Sequence, residues 1–143
     1  MPLSLLTMTD PTHRYDMLEQ TPAQERLLLV GDDPVAAEAL SAHLSRHGFL
    51  VVGRVRTADA ARTAARYTEP DVVLVDSAVR DGWRTVVDAL DGVLEHGRIA
   101  VLASYWDADA RRDAAATGVG AVILKAMQGG TLVGRLREIA AHA

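Results

Sequence analysis

From Arg26 onward the chain alternates, five times over, between a short apolar run and a longer alanine-rich amphipathic segment. The runs are LLLVG (27–31), FLVVGRV (49–55), DVVLVD (71–76), RIAVLAS (98–104) and Ala121 to Leu124. Each is too short for a helix and lacks the polar alternation of a half-exposed strand. This suits strands buried on both faces. The segments between them read as helices. Pro34 suits the first turn of one that runs to about His47, where Gly48 stops it. Thr57 caps a second over 58–68, and Pro70 breaks it. A third opens at Gly82 and runs to about Glu95, a fourth starts at Asp107 and ends near Gly118, and a fifth covers about 131–141.

Strands separated by helices run parallel, with right-handed crossovers. The expected fold is therefore α/β: a doubly wound five-stranded parallel sheet, (βα)5, with helices on both faces. DVVLVD, the most apolar run, is expected at the centre, and FLVVGRV near an edge because Arg54 interrupts it. Residues 1–24 contain Pro2, Pro11 and Pro22, many polar residues and no periodicity, and read as a flexible N-terminal tail. The folded domain is expected over 25–143.

Composition narrows the function classes. The formal charge is −4, which argues against direct nucleic-acid binding by this chain, since such domains carry a basic footprint. There is no cysteine, hence no disulfide framework and no thiolate metal site. No apolar stretch approaches the roughly 20 residues that span a membrane, and MPLSLLTM lacks a signal peptide's basic start. A cytoplasmic protein is expected. Of the 15 basic residues only Lys125 is lysine, in a background otherwise entirely arginine. A compact ammonium and a planar guanidinium do different chemistry, so this position invites a chemical reason.

In an open parallel sheet, ligands gather at the carboxyl ends of the strands. The first strand leads there into Asp32 and Asp33, the third ends in Asp76, the fourth in Ala103 and Ser104, and the fifth leads into Lys125. Taken singly, each has a plain structural role. An acid before Pro34 caps a helix, Asp76 caps a turn, Ser104 is a loop hydroxyl, and Lys125 is a solvated strand end. Taken together they converge on one sheet edge. Clustered carboxylates repel one another, and a hard cation such as Mg²⁺ relieves the repulsion. Asp76 can then act as nucleophile toward a phosphoryl donor, with Lys125 and the cation neutralising charge on the transferring oxygens. A hydroxyl near Ser104 can hydrogen-bond the product phosphoryl group.

These stretches resemble the receiver domain of two-component response regulators, a CheY-like, flavodoxin-like family. The resemblance covers about residues 26–141. RLLLVGDDPVAAEAL resembles the family's first strand, acidic pocket and first helix, especially as written in NarL-type regulators. PDVVLVD resembles the stretch ending at the phosphoacceptor, and ATGVGAVILK the run to the active-site lysine. Asp32 and Asp76 lie 44 positions apart, a family-like spacing. The resemblance implies that Asp76 is the phosphoacceptor and that Lys125 binds phosphate. It also implies that Asp32, Asp76 and the main-chain carbonyl of Ala78 hold Mg²⁺. The implied partners are a histidine kinase or other phosphodonor, and a downstream protein or output domain. A homodimer is also compatible. The output face would be the fourth helix, fifth strand and fifth helix. Such a domain accepts a phosphoryl group and is not a turnover enzyme.

Several positions depart from the family pattern. Gly31 stands where the first of two consecutive acids is usual, with Asp33 following as a substitute. Ungapped counting puts Ala103, not Ser104, at the hydroxyl position, and Val122 at the aromatic switch position. Lys125 is followed by Ala126 rather than proline, and the segment from Asp76 to Gly82 is about two residues short. These departures motivate an alternative from another class: an atypical pseudo-receiver acting as a phosphorylation-independent interaction or dimerisation module. His43 and His47, four residues apart on the first helix, form a candidate metal pair, but a solvated helix face accounts for them as well.

Overall fold

The computed structural model describes residues 24–105, 108–125 and 130–142. The expected tail up to residue 23, the expected helix start at Asp107 and the Lys125–Ala126 peptide therefore lie outside the described residues or at their border. Five strands, β1 (Glu25–Val30), β2 (Phe49–Val55), β3 (Val72–Asp76), β4 (Ile99–Ala103) and β5 (Ala121–Leu124), alternate with five helices. These are α1 (Pro34–Arg46), α2 (Ala58–Thr68), α3 (Trp83–Ala89), α4 (Ala108–Thr117) and α5 (Gly130–His142). The strands form one sheet in the order β2-β1-β3-β4-β5, and every pairing is parallel. DVVLVD is central and FLVVGRV is an edge, as its composition predicts.

Successive side chains of a strand point to opposite faces, and each strand feeds two cores. Leu27 and Leu29 of β1 and Leu74 of β3 join Leu44 of α1 and Leu132 and Leu136 of α5. On the other face Leu28, Val30, Val73 and Val75 join Ala61 and Ala65 of α2 and Val86 and Val87 of α3. The small alanines let α2 lie close to the sheet. Burying large aliphatic side chains on both faces, at about 25 cal/mol per Å², is the main favourable term.

The ends of the elements follow local chemistry. Asp33 caps α1, its Oδ1 accepting from the Val35 and Ala36 amides at 3.0 and 3.3 Å. Thr57 Oγ1 accepts from the Ala60 amide at 3.0 Å to start α2, which ends at Glu69 in the left-handed region (φ 48°) just before Pro70. One element is shorter than expected. α3 stops at Ala89, not near Glu95. Buried Leu90 terminates it, its amide reaching back to the carbonyls of Val86 and Val87, and Gly92 then turns the chain at φ 78°. A 3-10 turn (His96–Arg98) leads into β4.

Candidate functional site

Register places the reactive residues. Val30 of β1 lies beside Val75 of β3, so Gly31 and Asp32 emerge level with Asp76. Asp76 in turn lies beside Leu102, and Ala103 beside Leu124, so Lys125 leaves β5 just beyond the same edge. Lys125 Nζ lies 3.0 Å from Asp76 Oδ1. The Asp76 and Lys125 side chains keep 22% and 33% of their exposure, so the pair faces a solvent-accessible hollow rather than the core. Asp76 Oδ1 also accepts from the Ala78 amide at 2.9 Å. Its Oδ2 has no hydrogen-bond partner among the described residues.

Asp32 turns toward the loop after β3, where its Oδ2 accepts from the Arg80 main-chain amide. The same loop is held a second time by Asp81, whose Oδ2 accepts from the Ala58 amide at the start of α2 at 2.8 Å. Two carboxylates thus fasten the short segment that follows Asp76. Neither tie is visible in the linear sequence, because both cross between elements. The only local signal is an acid within a loop rich in turn residues.

The other predicted site residues separate. Asp33 is engaged as the α1 cap through one oxygen, as its position before Pro34 allows. Ala103 closes β4 and is buried, whereas Ser104 lies beyond the strand end and is exposed. The last position of β4 is therefore apolar. Gly31 lies against Asp76: a Cβ placed on it would come 3.3 Å from the Asp76 Cβ. The His43 and His47 rings lie tilted by 48° with centroids 4.5 Å apart, and His47 Nδ1 pairs with the His43 carbonyl at 2.9 Å. Among the described residues no group of three or more acids and histidines could hold a metal ion.

A site for Mg²⁺ here therefore has to rest on few protein ligands. Asp32 and Asp76 each retain one carboxylate oxygen without a hydrogen-bond partner among the described residues. Two carboxylates, a main-chain carbonyl and several waters is a donor set that suits Mg²⁺, which gives up its water reluctantly. The donor types suit that ion, but Asp32 borders a hollow with Arg56, Thr57, Arg80 and Asp81, separate from the one that Asp76 and Lys125 border.

No protein-family model and no curated protein matches the chain. Solved structures do. The BeF3-activated N-terminal receiver domain of RstA from Klebsiella pneumoniae is similar at 28% identity and a TM-score of 0.71, over 81% of this chain and 98% of that one. The signal receiver domain of the putative response regulator NarL from Mycobacterium tuberculosis has a TM-score of 0.76 at 21% identity, over 85% of this chain and 100% of that one. A putative response regulator from Chloroflexus aurantiacus gives 0.72 at 24%, over 83% and 99%.

The fold is the CheY-like α/β fold of these receiver-domain structures, to which the chain is similar over most of its length. At the carboxyl edge of the sheet the chain carries a lysine–aspartate pair, a glycine at position 31 and an apolar end to its fourth strand. Among the described residues no helix is long and apolar enough to cross a membrane.

Proposed function

We propose that this chain works as a phosphoacceptor switch in two-component signalling, with Asp76 as the acceptor. The observation that carries the proposal is the Lys125 amine at 3.0 Å from the Asp76 carboxylate, at the carboxyl edge of a parallel sheet. Asp76 Oδ2 attacks the phosphorus of a phosphohistidine or a small acyl phosphate. The new O–P bond forms as the donor's P–N or P–O bond breaks, and the bonding pair leaves with the donor. Lys125 stays beside Oδ1 and neutralises charge gathering on the phosphoryl oxygens. Asp32, Asp76 and the Ala78 carbonyl would hold Mg²⁺, which supplies further positive charge to those oxygens. Asp81 keeps the loop after β3 in place while this happens.

The phosphoryl group would come from a histidine kinase or another phosphodonor, met in the cytoplasm. The added charge would bias α4, β5 and α5 toward a partner-binding or dimeric state. The test is labelling with acetyl phosphate and Mg²⁺, read by intact mass. One acid-labile phosphoryl group is expected in the native chain and none in Asp76→Asn. Persistent labelling of the variant would assign the chemistry elsewhere. Absence of labelling, with an amide spectrum unmoved by Mg²⁺ and beryllofluoride, would leave the chain an interaction module.

A further inference from the structure

The loop after β3 is built on a turn of its own. The Gly82 amide donates to the Val79 carbonyl at 2.9 Å, which makes 79–82 a four-residue turn with Arg80 and Asp81 at its centre. Neither central residue has a positive φ, because Glu69 alone does so among the described non-glycine residues. That excludes the type II and mirror-image turns and leaves type I. In such a turn the amide at the second position has no partner within the turn. Here it is claimed from outside. Asp32 Oδ2, just past the end of β1 and 48 residues away, accepts from the Arg80 amide.

Where that bond holds Asp32 gives it a consequence. Asp32 borders a hollow of about 290 Å³ together with Arg56, Thr57, Arg80 and Asp81. Asp76 and Lys125 border a different one. Oxygens bound to Mg²⁺ lie about 2.0–2.1 Å from the ion, so two carboxylates that share it must face the same space. The β1–β3 register already sets Asp32 level with Asp76. What separates the two carboxylates is therefore the direction of the Asp32 side chain, and its partner fixes that direction. Asp81, the other acid in the hollow, accepts from the Ala58 amide at 2.8 Å. The charges of Arg56 and Arg80 then favour Asp32 where it stands.

We infer that the Asp32–Arg80 bond is an autoinhibitory clasp on the acidic pocket. The Arg80 amide holds Asp32 out of the space around Asp76, and Asp32 has to leave that amide before it can share a Mg²⁺ with Asp76. The inference rests on the reading of Asp32 and Asp76 as ligands of that ion. It adds that Asp32 serves either the loop or the ion, not both. When Asp32 swings across, the Arg80 amide is released. Asp81 still ties the loop to α2, and the 79–82 turn keeps its own bond. A hydrogen bond to a charged acceptor is stronger than a neutral one. Losing it weakens binding of the ion relative to the same donors without the clasp.

The test is amide exchange in the ¹⁵N-labelled full chain, with chelator and then with saturating Mg²⁺. With chelator, the Arg80 amide should exchange at least about tenfold more slowly in the native chain than in Asp32→Ala. Asp32→Asn, whose amide oxygen still accepts, should keep most of that protection. Saturating Mg²⁺ should abolish the protection of Arg80 in the native chain and leave that of Ala58 unchanged. Arg80→Pro deletes the donor and suits the second position of a type I turn. It should bind Mg²⁺ about five- to tenfold more tightly than the native chain by calorimetry, with a circular-dichroism melt to confirm that it folds. Equal exchange of Arg80 in the native chain and Asp32→Ala would overturn the clasp. So would Arg80 protection that survives while Mg²⁺ shifts the Ser77 and Ala78 amides, or a folded Arg80→Pro of native affinity. These outcomes leave the magnesium reading intact. No shift at Ser77 or Ala78 at any Mg²⁺ concentration would overturn that reading and the opening of the clasp together.

Discussion

Lys125 and Asp76 meet at 3.0 Å although they leave different, non-adjacent strands of the sheet, β5 and β3, with β4 between them. The contact needs both strands to end at the same level, which the β3–β4 and β4–β5 registers provide. Removing the amine should therefore affect chemistry more than folding. Lys125→Ala is expected to slow acetyl-phosphate labelling of Asp76 by about 10–100-fold. Its unfolding free energy should change by less than about 1 kcal/mol, because the pair is partly solvated. Labelling rates and urea unfolding measured on the same sample check both halves. An unchanged labelling rate would remove Lys125 from the proposed mechanism.

Gly31 offers a test of the acidic pocket. A Cβ at this position falls 3.3 Å from the Asp76 Cβ, a tight but not prohibitive approach. Gly31→Asp would press a second carboxylate toward Asp76. Without a divalent cation the variant should lose about 1 kcal/mol of stability through like-charge repulsion. With Mg²⁺ it should recover, and its affinity for the ion should rise by about tenfold, since an added carboxylate donor strengthens a hard-cation site. Thermal melts with Mg²⁺ and with chelator, together with calorimetric titration, would show this crossover.

The strand-four end gives a contrast between neighbours. Ser104 is exposed beyond β4, whereas Ala103 is buried at its last position. Ser104→Ala should leave both labelling rate and stability within the ordinary scatter of surface substitutions, about 0.5 kcal/mol. A loss of labelling greater than about tenfold would show that the hydroxyl reaches the phosphoryl group after all.

Asp81 should matter for structure without touching the reacting atoms. It accepts from the Ala58 amide at 2.8 Å and so caps α2 from a loop 23 residues away. Asp81→Ala should cost about 1 kcal/mol, the usual value of a lost helix cap. Asp81→Asn should recover much of it, because the amide oxygen still accepts. Hydrogen exchange at the first turn of α2 would localise the effect.

Gly120 is confined by backbone rather than by side chains. A Cβ there would stand 2.1 Å from the Gly97 carbonyl oxygen, and the Gly120 amide donates to Ile99 at 2.8 Å. A flexible side chain could move aside, but a backbone carbonyl tied into the start of β4 has little room. Gly120→Ala is expected to destabilise by about 2–3 kcal/mol, measured by chemical denaturation. A change within 0.5 kcal/mol, the scatter of surface substitutions, would mean that the turn before β4 shifts freely.

Periodicity along the chain determined the order of elements and the parallel sheet. This is because apolar runs that alternate with amphipathic segments have few ways to bury their surfaces. β2, α2 and β5 begin and end where local caps and composition place them. The length of α3 was not legible, because Leu90 ends it by packing into a core that only the assembled sheet creates. The same holds for the site. That Asp32, Asp76 and Lys125 belong to one edge followed from topology. Which oxygen each presents did not, since Asp32 is turned to the Arg80 amide by a bond that forms only once the loops lie together, whereas the Asp33 cap of α1 is local. The space beneath α1 depends on how far the helix stands from the sheet. Helix-to-sheet distance is set by many side chains at once and is written at no single position.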